Sequence, residues 1–305
     1  MGSVFEVLFP TDLRSFVDAA HRALDEVRRL EKLMTVYSED SEISKVNHWA
    51  FMEPVAVSRD VMDVLVLSKK ISEDTHGAFD ITSGALTKIW GFLSRQGSVP
   101  PENQIVETIQ RIGSTKMQLD PYACTVSFIN EGTELNLGSI GKGFALDRAG
   151  LILQNEGLDA GLIHAGFSSF KAIGSPVRST RGWKIGIKHP LEKDKDILTL
   201  RLQDQAISTS GIEEQSFEED GRRFGHILDP RTGYPSNHYL SVTAIAPTAG
   251  IADALSTAFF VMTMEEIRSY CNEHRNIGAI IVPKPNEGQE LETVFIGSVG
   301  DCLDR

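Results

Sequence analysis

Cysteine is scarce in this 305-residue chain: Cys124, Cys271 and Cys302 form an odd, widely spaced set with no CxxC pairing. Neither a disulfide framework nor a thiolate zinc site follows from such a set, which reads as buried or idle thiols. Long apolar runs are also missing. No stretch approaches the roughly 18 residues that would span a bilayer. The opening MGSVFEVLFP has neither the charged head nor the apolar core of a secretory signal. Basic charge is the third shortage, since 30 Lys and Arg stand against 42 Asp and Glu, a formal net charge of −12. A surface of that sign repels phosphate, so nucleic acid is not an expected partner. An anionic ligand must then be held locally, by a metal, by backbone N–H groups or by a few placed cations. The expectation is a soluble chain, cytoplasmic, or periplasmic if this is a trimmed mature form. Internal repeats, low-complexity tracts and Pro/Gly/Ser linkers are absent too, so the chain reads as one domain over residues 1–305.

What is present is the patterning of an ordinary globular core, with 41% hydrophobic residues. Residues 3–9 alternate like a half-buried strand that Pro10 ends. Leu13, Phe16, Val17, Ala20, Leu24, Val27 and Leu30 recur at helical spacing over 11–33. A second helix starts at Ser58, a good N-cap, and runs through Ile71. Beyond about Thr115, short β-rich runs follow one another at 125–129, 183–188, 197–202, 241–246, 279–282 and 293–296. Helices interrupt them at 142–156, 251–262 and 264–275, the last opened by a Thr263/Glu266 capping box. Strands and helices mixed without a βαβ rhythm favour an α+β fold.

Five segments carry candidate chemistry. Residues 136–148 read NLGSIGKGFALDR, three glycines ahead of a helix. Such a loop lets backbone approach a ligand closely and offers unpaired N–H groups to an anion, with Lys142 at hand. A glycine-rich strand-to-helix turn explains the same residues. In IADALSTAFF, Asp253 and Thr257 lie four apart, on one face of an apolar helix. A hard cation such as Mg²⁺ takes oxygen ligands of this kind. A first-turn or N-cap acid with a back-bonded threonine is the plainer alternative. HILDPRTGYP, residues 226–235, reads as a tight turn after a short strand, with Gly233 suited to positive φ and His226 able to act as acid, base or ligand. Residues 77–84 (GAFDITSG) and 34–47 (MTVYSEDSEISKVN) look alone like an aromatic-packed turn and a capped polar loop.

Together and in this order, the five segments resemble the ApbE family of FAD:protein FMN transferases, over nearly the whole chain. GSIGKGFALDR, HILDPRTGYP and ADALSTAFF are the most specific matches. The resemblance implies an α+β, T-fold-like arrangement of mixed sheets and helices, with FAD in a cleft between two subregions. It implies Mg²⁺ held by Asp253, Thr257 and the backbone carbonyl of Ser139. Cofactor contacts fall on Met1, Tyr37, Ala78, Phe79, Asp80, Asn136, Lys142, His226 and Ile227. Asp253 and His226 are the expected catalytic residues, with His226 helping to remove the acceptor's proton. The implied reaction transfers FMN from FAD, through a phosphoester bond, to a Ser or Thr of a target flavoprotein and releases AMP.

Three departures from the family's pattern stand out. Asn136 replaces a usual Asp, Ala165-Gly166-Phe167-Ser168-Ser169 stands where Gly-Gly-Asp or Gly-Gly-Asn is common, and Ile212-Glu213-Glu214 replaces a Tyr-Glu pair. Two alternatives stay open: a pyrophosphatase splitting FAD into FMN and AMP, which would use nearly the same residues, and a non-catalytic FAD-binding protein, which the departures support.

Overall fold

The computed structural model describes residues 2–176, 179, 181–192, 194–212, 215–285 and 290–304. Met1, an expected flavin contact, lies outside the described residues, as do Glu213 and Glu214 of the third departure. The strand expected first is Phe5–Leu8. The helix that follows begins as a 3-10 segment, Thr11–Phe16, in which Leu13 leaves helical geometry, and becomes α-helical over Val17–Met34. The chain divides into two compact units. One comprises Met1–Arg29, Ile140–Gly211 and Tyr239–Arg305; the other comprises Leu30–Ser139 and Ile212–His238.

The first unit is built on a seven-stranded antiparallel sheet. Its spatial order is Phe5–Leu8, Gly161–Ala165, Ser169–Ile173, Ala206–Gly211, Tyr239–Ala246, Gly278–Pro283 and Val294–Gly297. The helices Gly141–Asn155 and Ala249–Val261 lie against its middle strands and against each other. A hairpin, Trp183–Lys188 with Asp196–Leu202, supplies Ile185, Ile187, Leu200 and Leu202 to a core shared with Leu162, Ile207, Ile245 and Ile280 of the sheet. Strand alternation sorts the side chains of Ala206–Gly211. Ile207 enters that hairpin core, whereas Ser208 and Ser210 turn the other way, toward Ala249–Val261. The expected capping box is formed, with the Thr263 hydroxyl accepting from Glu266 N and the Glu266 carboxylate accepting from Thr263 N.

The second unit gathers the helices Glu42–Trp49, Arg59–Asp74, Gly84–Ile89 and Glu102–Ile109 with a three-stranded sheet and a short hairpin. Ser58 caps Arg59–Asp74 as the sequence indicates. The segment read as a capped polar loop is irregular over 35–41, and from Glu42 it is a helix. Ser41 accepts from Ser44 N, and Ile43 and Val46 are fully buried on the inward face of Glu42–Trp49. Its apolar stripe is only two residues long, too short to register as a helical period. The aromatic packing expected after residue 84 is present, with Trp90, Phe92, Phe217 and Phe224 enclosing Leu86, Ile105 and Leu228. No helix among the described residues is long and apolar enough to cross a membrane.

Candidate functional site

In the first unit the helix Ala249–Val261 is buried on nearly every side, including Asp253 at 3% exposure. A carboxylate so placed needs compensation. Its Oδ2 accepts from the backbone N of Gly143 at 3.0 Å, and its Oδ1 accepts from Ser208 Oγ at 2.9 Å. Ser169 Oγ lies 3.5 Å from Oδ1, and the Lys142 ammonium lies 3.3 Å away. The N-cap and first-turn reading of Asp253 is thereby set aside, because Thr248 is the cap and the first turn holds no acid. Thr257 is partly back-bonded as that reading held, with its Oγ1 3.5 Å from Asp253 O and also 3.5 Å from Ser210 Oγ.

Gly143 makes this geometry accessible. A Cβ there would lie 2.0 Å from the Ala249 carbonyl oxygen and 2.8 Å from Asp253 Cβ. Only a residue without a side chain lets the two helices come close enough for the first bond. Gly143 N also belongs to the first turn of Gly141–Asn155, where N–H groups have no partner within the helix. The arrangement is reciprocal. Asp147, carried on Gly141–Asn155, accepts from Ala249 N at 2.9 Å and Gly250 N at 2.8 Å, at the start of the other helix, and pairs with Lys171 at 2.9 Å. Each helix thus supplies the acid that the other's N-terminus favours.

In the second unit the flavin candidates are drawn together by backbone. Ala78 and Phe79 are each 1% exposed, so their side chains are core. Asp80 is buried and accepts at Oδ1 from Thr82 N at 2.8 Å and Thr82 Oγ1 at 2.7 Å, and at Oδ2 from Ser72 Oγ at 3.2 Å. The next residue, Ile81, accepts through its carbonyl from Asn136 N at 2.7 Å, and Asn136 Oδ1 accepts from Gly138 N at 2.9 Å. The amide at position 136 therefore performs the turn-closing bond that an Asp would, without the charge. Asn47 clamps the neighbouring residue from the helix Glu42–Trp49, donating to Leu135 O at 3.0 Å and accepting from Leu135 N at 2.7 Å. A cavity of about 320 Å³ opens here, lined by Val36, Asn47, His48, Lys88, Glu134 and Asn136 among others. Tyr37 is largely exposed next to Val36. Ser139 is half-buried in the turn that ends this loop.

The HILDPRTG turn closes as its sequence indicates. Gly233 has φ +80°, and Asp229 accepts from Arg231 through both backbone N and guanidinium. Gly233 O accepts from Trp90 Nε1 at 2.9 Å, which ties the turn to the aromatic core. His226 Nδ1 lies 3.1 Å from Gln215 O. A carbonyl only accepts, so Nδ1 carries a proton and Nε2 is the basic nitrogen of the neutral ring. Ile227 is buried at 7% exposure and accepts from Ser236 N through its carbonyl.

Sequence reasoning missed Ser169, Ser208, Ser210 and Ser256, the hydroxyls around Asp253 and Thr257. The available signal was a run of three hydroxyl residues, Ser208-Thr209-Ser210, after the apolar Ala206-Ile207. Among the described residues, no group of three or more His, Cys, Asp and Glu side chains is placed to enclose a metal. The donor set at Asp253 is one carboxylate with hydroxyls and a cation already drawn to it. That suits a hard ion that takes few protein ligands and completes its shell from water or phosphate. It does not suit a zinc-type cage.

A buried acid on an apolar helix, a glycine loop feeding the helix beside it, and an antiparallel sheet packed against both helices define the class: an α+β protein. The model of the ApbE family matches residues 1–281, and the chain belongs to that family. It is 33% identical over 267 residues to a FAD:protein FMN transferase of Klebsiella pneumoniae, covering 87% of this chain and 82% of the relative. It is 32% identical over 280 residues to the Treponema pallidum FAD:protein FMN transferase, covering 86% and 77% respectively. Among solved structures, the ApbE protein of Thermotoga maritima superposes with a TM-score of 0.86 at 32% identity, over 95% of this chain and 93% of that one. The flavin transferase ApbE of Vibrio cholerae gives 0.82 at 27% identity, over 99% and 96%. The mixed α+β fold expected from the sequence is the fold of these structures.

Proposed function

We propose that this chain is an Mg²⁺-dependent FAD:protein FMN transferase that attaches FMN to a Ser or Thr of a target flavoprotein. The observation that carries the reading is the Asp253 cluster: a carboxylate buried to 3% exposure, oriented by two donors and an ammonium, on the same helix face as Thr257. Family membership and relatives named for this activity support it.

In this reading Asp253 and Thr257 hold the metal, with the Ser139 carbonyl as the third protein ligand. Bound Mg²⁺ supplies positive charge against the FAD pyrophosphate. Lys142 contributes a second cation for the phosphates, needed in a chain of net charge −12. The backbone at Ala78, Phe79, Asp80, Asn136 and Ile227 lines the flavin and adenine portions together with Tyr37. His226, its Nδ1 proton committed to Gln215 O, takes the acceptor hydroxyl's proton at Nε2. The hydroxyl oxygen bonds to the FMN phosphorus, the phosphorus–oxygen bond to AMP breaks, and AMP leaves.

The test incubates the protein with FAD, Mg²⁺ and a peptide bearing an acceptor Thr, following AMP release and peptide mass together. The expected result is a mass gain of one FMN, lost in Asp253→Ala. AMP without labelling would replace transfer by hydrolysis. Bound FAD with no AMP would leave a flavin-binding protein only. Full transfer by His226→Gln would remove His226 from the proton step.

A further inference from the structure

The four serines around the Asp253 helix form an ordered lattice, and its hydrogen-bond directions can be assigned. A hydroxyl has one proton to give and two lone pairs with which to accept. Ser208 Oγ donates to Asp253 Oδ1 at 2.9 Å, so the 2.9 Å bond between Ser169 and Ser208 runs from Ser169 to Ser208. Ser256 Oγ donates to the Asp253 carbonyl at 2.9 Å, so its 2.9 Å bond with Ser210 runs from Ser210 to Ser256. Ser210 has then spent its proton. At its 3.5 Å separation from Thr257 it serves as an acceptor, and the Asp253 carbonyl, also 3.5 Å away, is the other acceptor in reach. Thr257 thus has its proton directed to Ser210 or to the Asp253 carbonyl of its own helix, which leaves its lone pairs unclaimed by either. A metal needs free lone pairs from a hydroxyl ligand.

The match has a simple geometric origin. Residues two apart on a strand are spaced by about 6.6 Å on the same face. Residues four apart on a helix are spaced by about 6.0 Å on the same face. Ser208 therefore meets Asp253, while Ser210, two residues on, meets Ser256 and lies 3.5 Å from Thr257, one turn along the helix. The strand is held in place on both sides, by Ser169–Ile173 and by Tyr239–Ala246.

We propose that Ser208 and Ser210 are positioning residues for the metal ligands, Ser208 fixing the Asp253 carboxylate and Ser210, as one of two acceptors for the Thr257 proton, helping to keep the Thr257 lone pairs free. The inference rests on the metal reading of Asp253 given above. Outer partners of ligating groups commonly govern metal affinity by roughly 10–100-fold. Ser208, bonded straight to the carboxylate, falls in that range. Ser210, one neutral bond removed, is worth roughly fivefold.

The experiment counts bound Mn²⁺ by electron paramagnetic resonance, with FAD present and a FAD-only blank subtracted, on wild type, Ser208→Ala, Ser210→Ala and Asp253→Ala. Thermal unfolding is recorded for each. The proposal predicts one bound Mn²⁺ in the wild type, lost in Asp253→Ala. It predicts a dissociation constant at least about tenfold higher in Ser208→Ala and a smaller rise in Ser210→Ala. Ser208→Ala within about twofold of wild type, while Asp253→Ala loses the ion, overturns the positioning role and leaves the metal reading standing. Unchanged binding in Asp253→Ala overturns both. If Ser208→Ala does not fold, Ser208→Cys keeps the volume with a much weaker donor, and wild-type affinity in that variant overturns the proposal as well.

Discussion

Asp80, just ahead of the helix Gly84–Ile89, and Asp253, within the helix Ala249–Val261, are both buried carboxylates, yet their surroundings differ in kind. Asp80 is satisfied from nearby in the chain, by Thr82 two residues on and Ser72 eight residues back. Asp253 is satisfied from afar, by Gly143 and Ser208, with Ser169 and Lys142 beside it. A locally satisfied acid can be completed as its own segment folds, and it then stabilises that segment. An acid whose partners come from other elements exists as a site only once the whole unit has assembled. The second kind also keeps a cation in reach, which the bonds to Asp80 do not provide. The contrast separates an acid that holds a turn from one able to hold an ion.

The largest effect expected from this contrast comes from exchanging each acid for its amide. Asp253→Asn should lower Mg²⁺-dependent AMP release from FAD by about 10²-fold or more, the scale of losing a charged group that acts on a charged centre. Asp80→Asn should instead lower stability by roughly 2–4 kcal/mol, because the new amide turns a donor toward hydroxyl and N–H donors. Urea unfolding and AMP release measured on both variants test the separation. An Asp80→Asn protein that is stable but inactive would collapse the distinction and move Asp80 into the ligand site.

Gly143→Ala comes next. Its Cβ would overlap the Ala249 carbonyl, so the two helices must part, at a cost of about 1–3 kcal/mol or more. The bond from residue 143 to Asp253 should lengthen with them. Mn²⁺ affinity should therefore fall together with the unfolding midpoint. A loss of stability with unchanged affinity would show that the long-range assembly of Asp253 is looser than its hydrogen bonds imply.

Cys271 sharpens the comparison from the other side, as a buried ionisable group for which desolvation alone sets the shift. Burial raises its thiol from the ordinary 9.0 to about 11. The folded chain then holds the proton more tightly than the unfolded chain. Stability from this group is fully present below pH 9 and declines as pH rises through about 11. Guanidinium unfolding at pH 8 and pH 10.5 should show a loss in the wild type that is reduced in Cys271→Ala. An identical pH dependence in the two proteins would contradict the burial-driven shift.

Much of the fold was legible where the signal is local. The Ser58 cap, the Thr263/Glu266 box, the Gly233 turn and the strand Trp183–Lys188 all depend on residues within a few positions of one another. Less was legible where the pattern is short or fully buried. Gly161–Ala165, buried at every residue, and Ala206–Gly211, buried at most, show no clean alternation, and Glu42–Trp49 buries only two side chains. The Asp253/Thr257 pair could be picked out because i, i+4 spacing on an apolar helix is a local regularity. The serines that orient it could not, since Ser169 and Ser208 are 84 and 45 residues away.

By itself, the sequence determined the family, the α+β class, the acid and hydroxyl presented on one helix face, and the turns whose backbone demands glycine or proline. These follow from composition, short-range periodicity and steric limits on single residues, all of which act before tertiary contacts exist. Only the tertiary structure decided that Asp253 does not cap its own helix, that Asp147 and Asp253 each accept from the first turn of the other's helix, and that Ser208 and Ser210 stand behind the candidate ligands. Those outcomes depend on which strand comes to face which helix. Bringing together residues 45 to 110 positions apart is the work of burying the whole core, which no local pattern encodes.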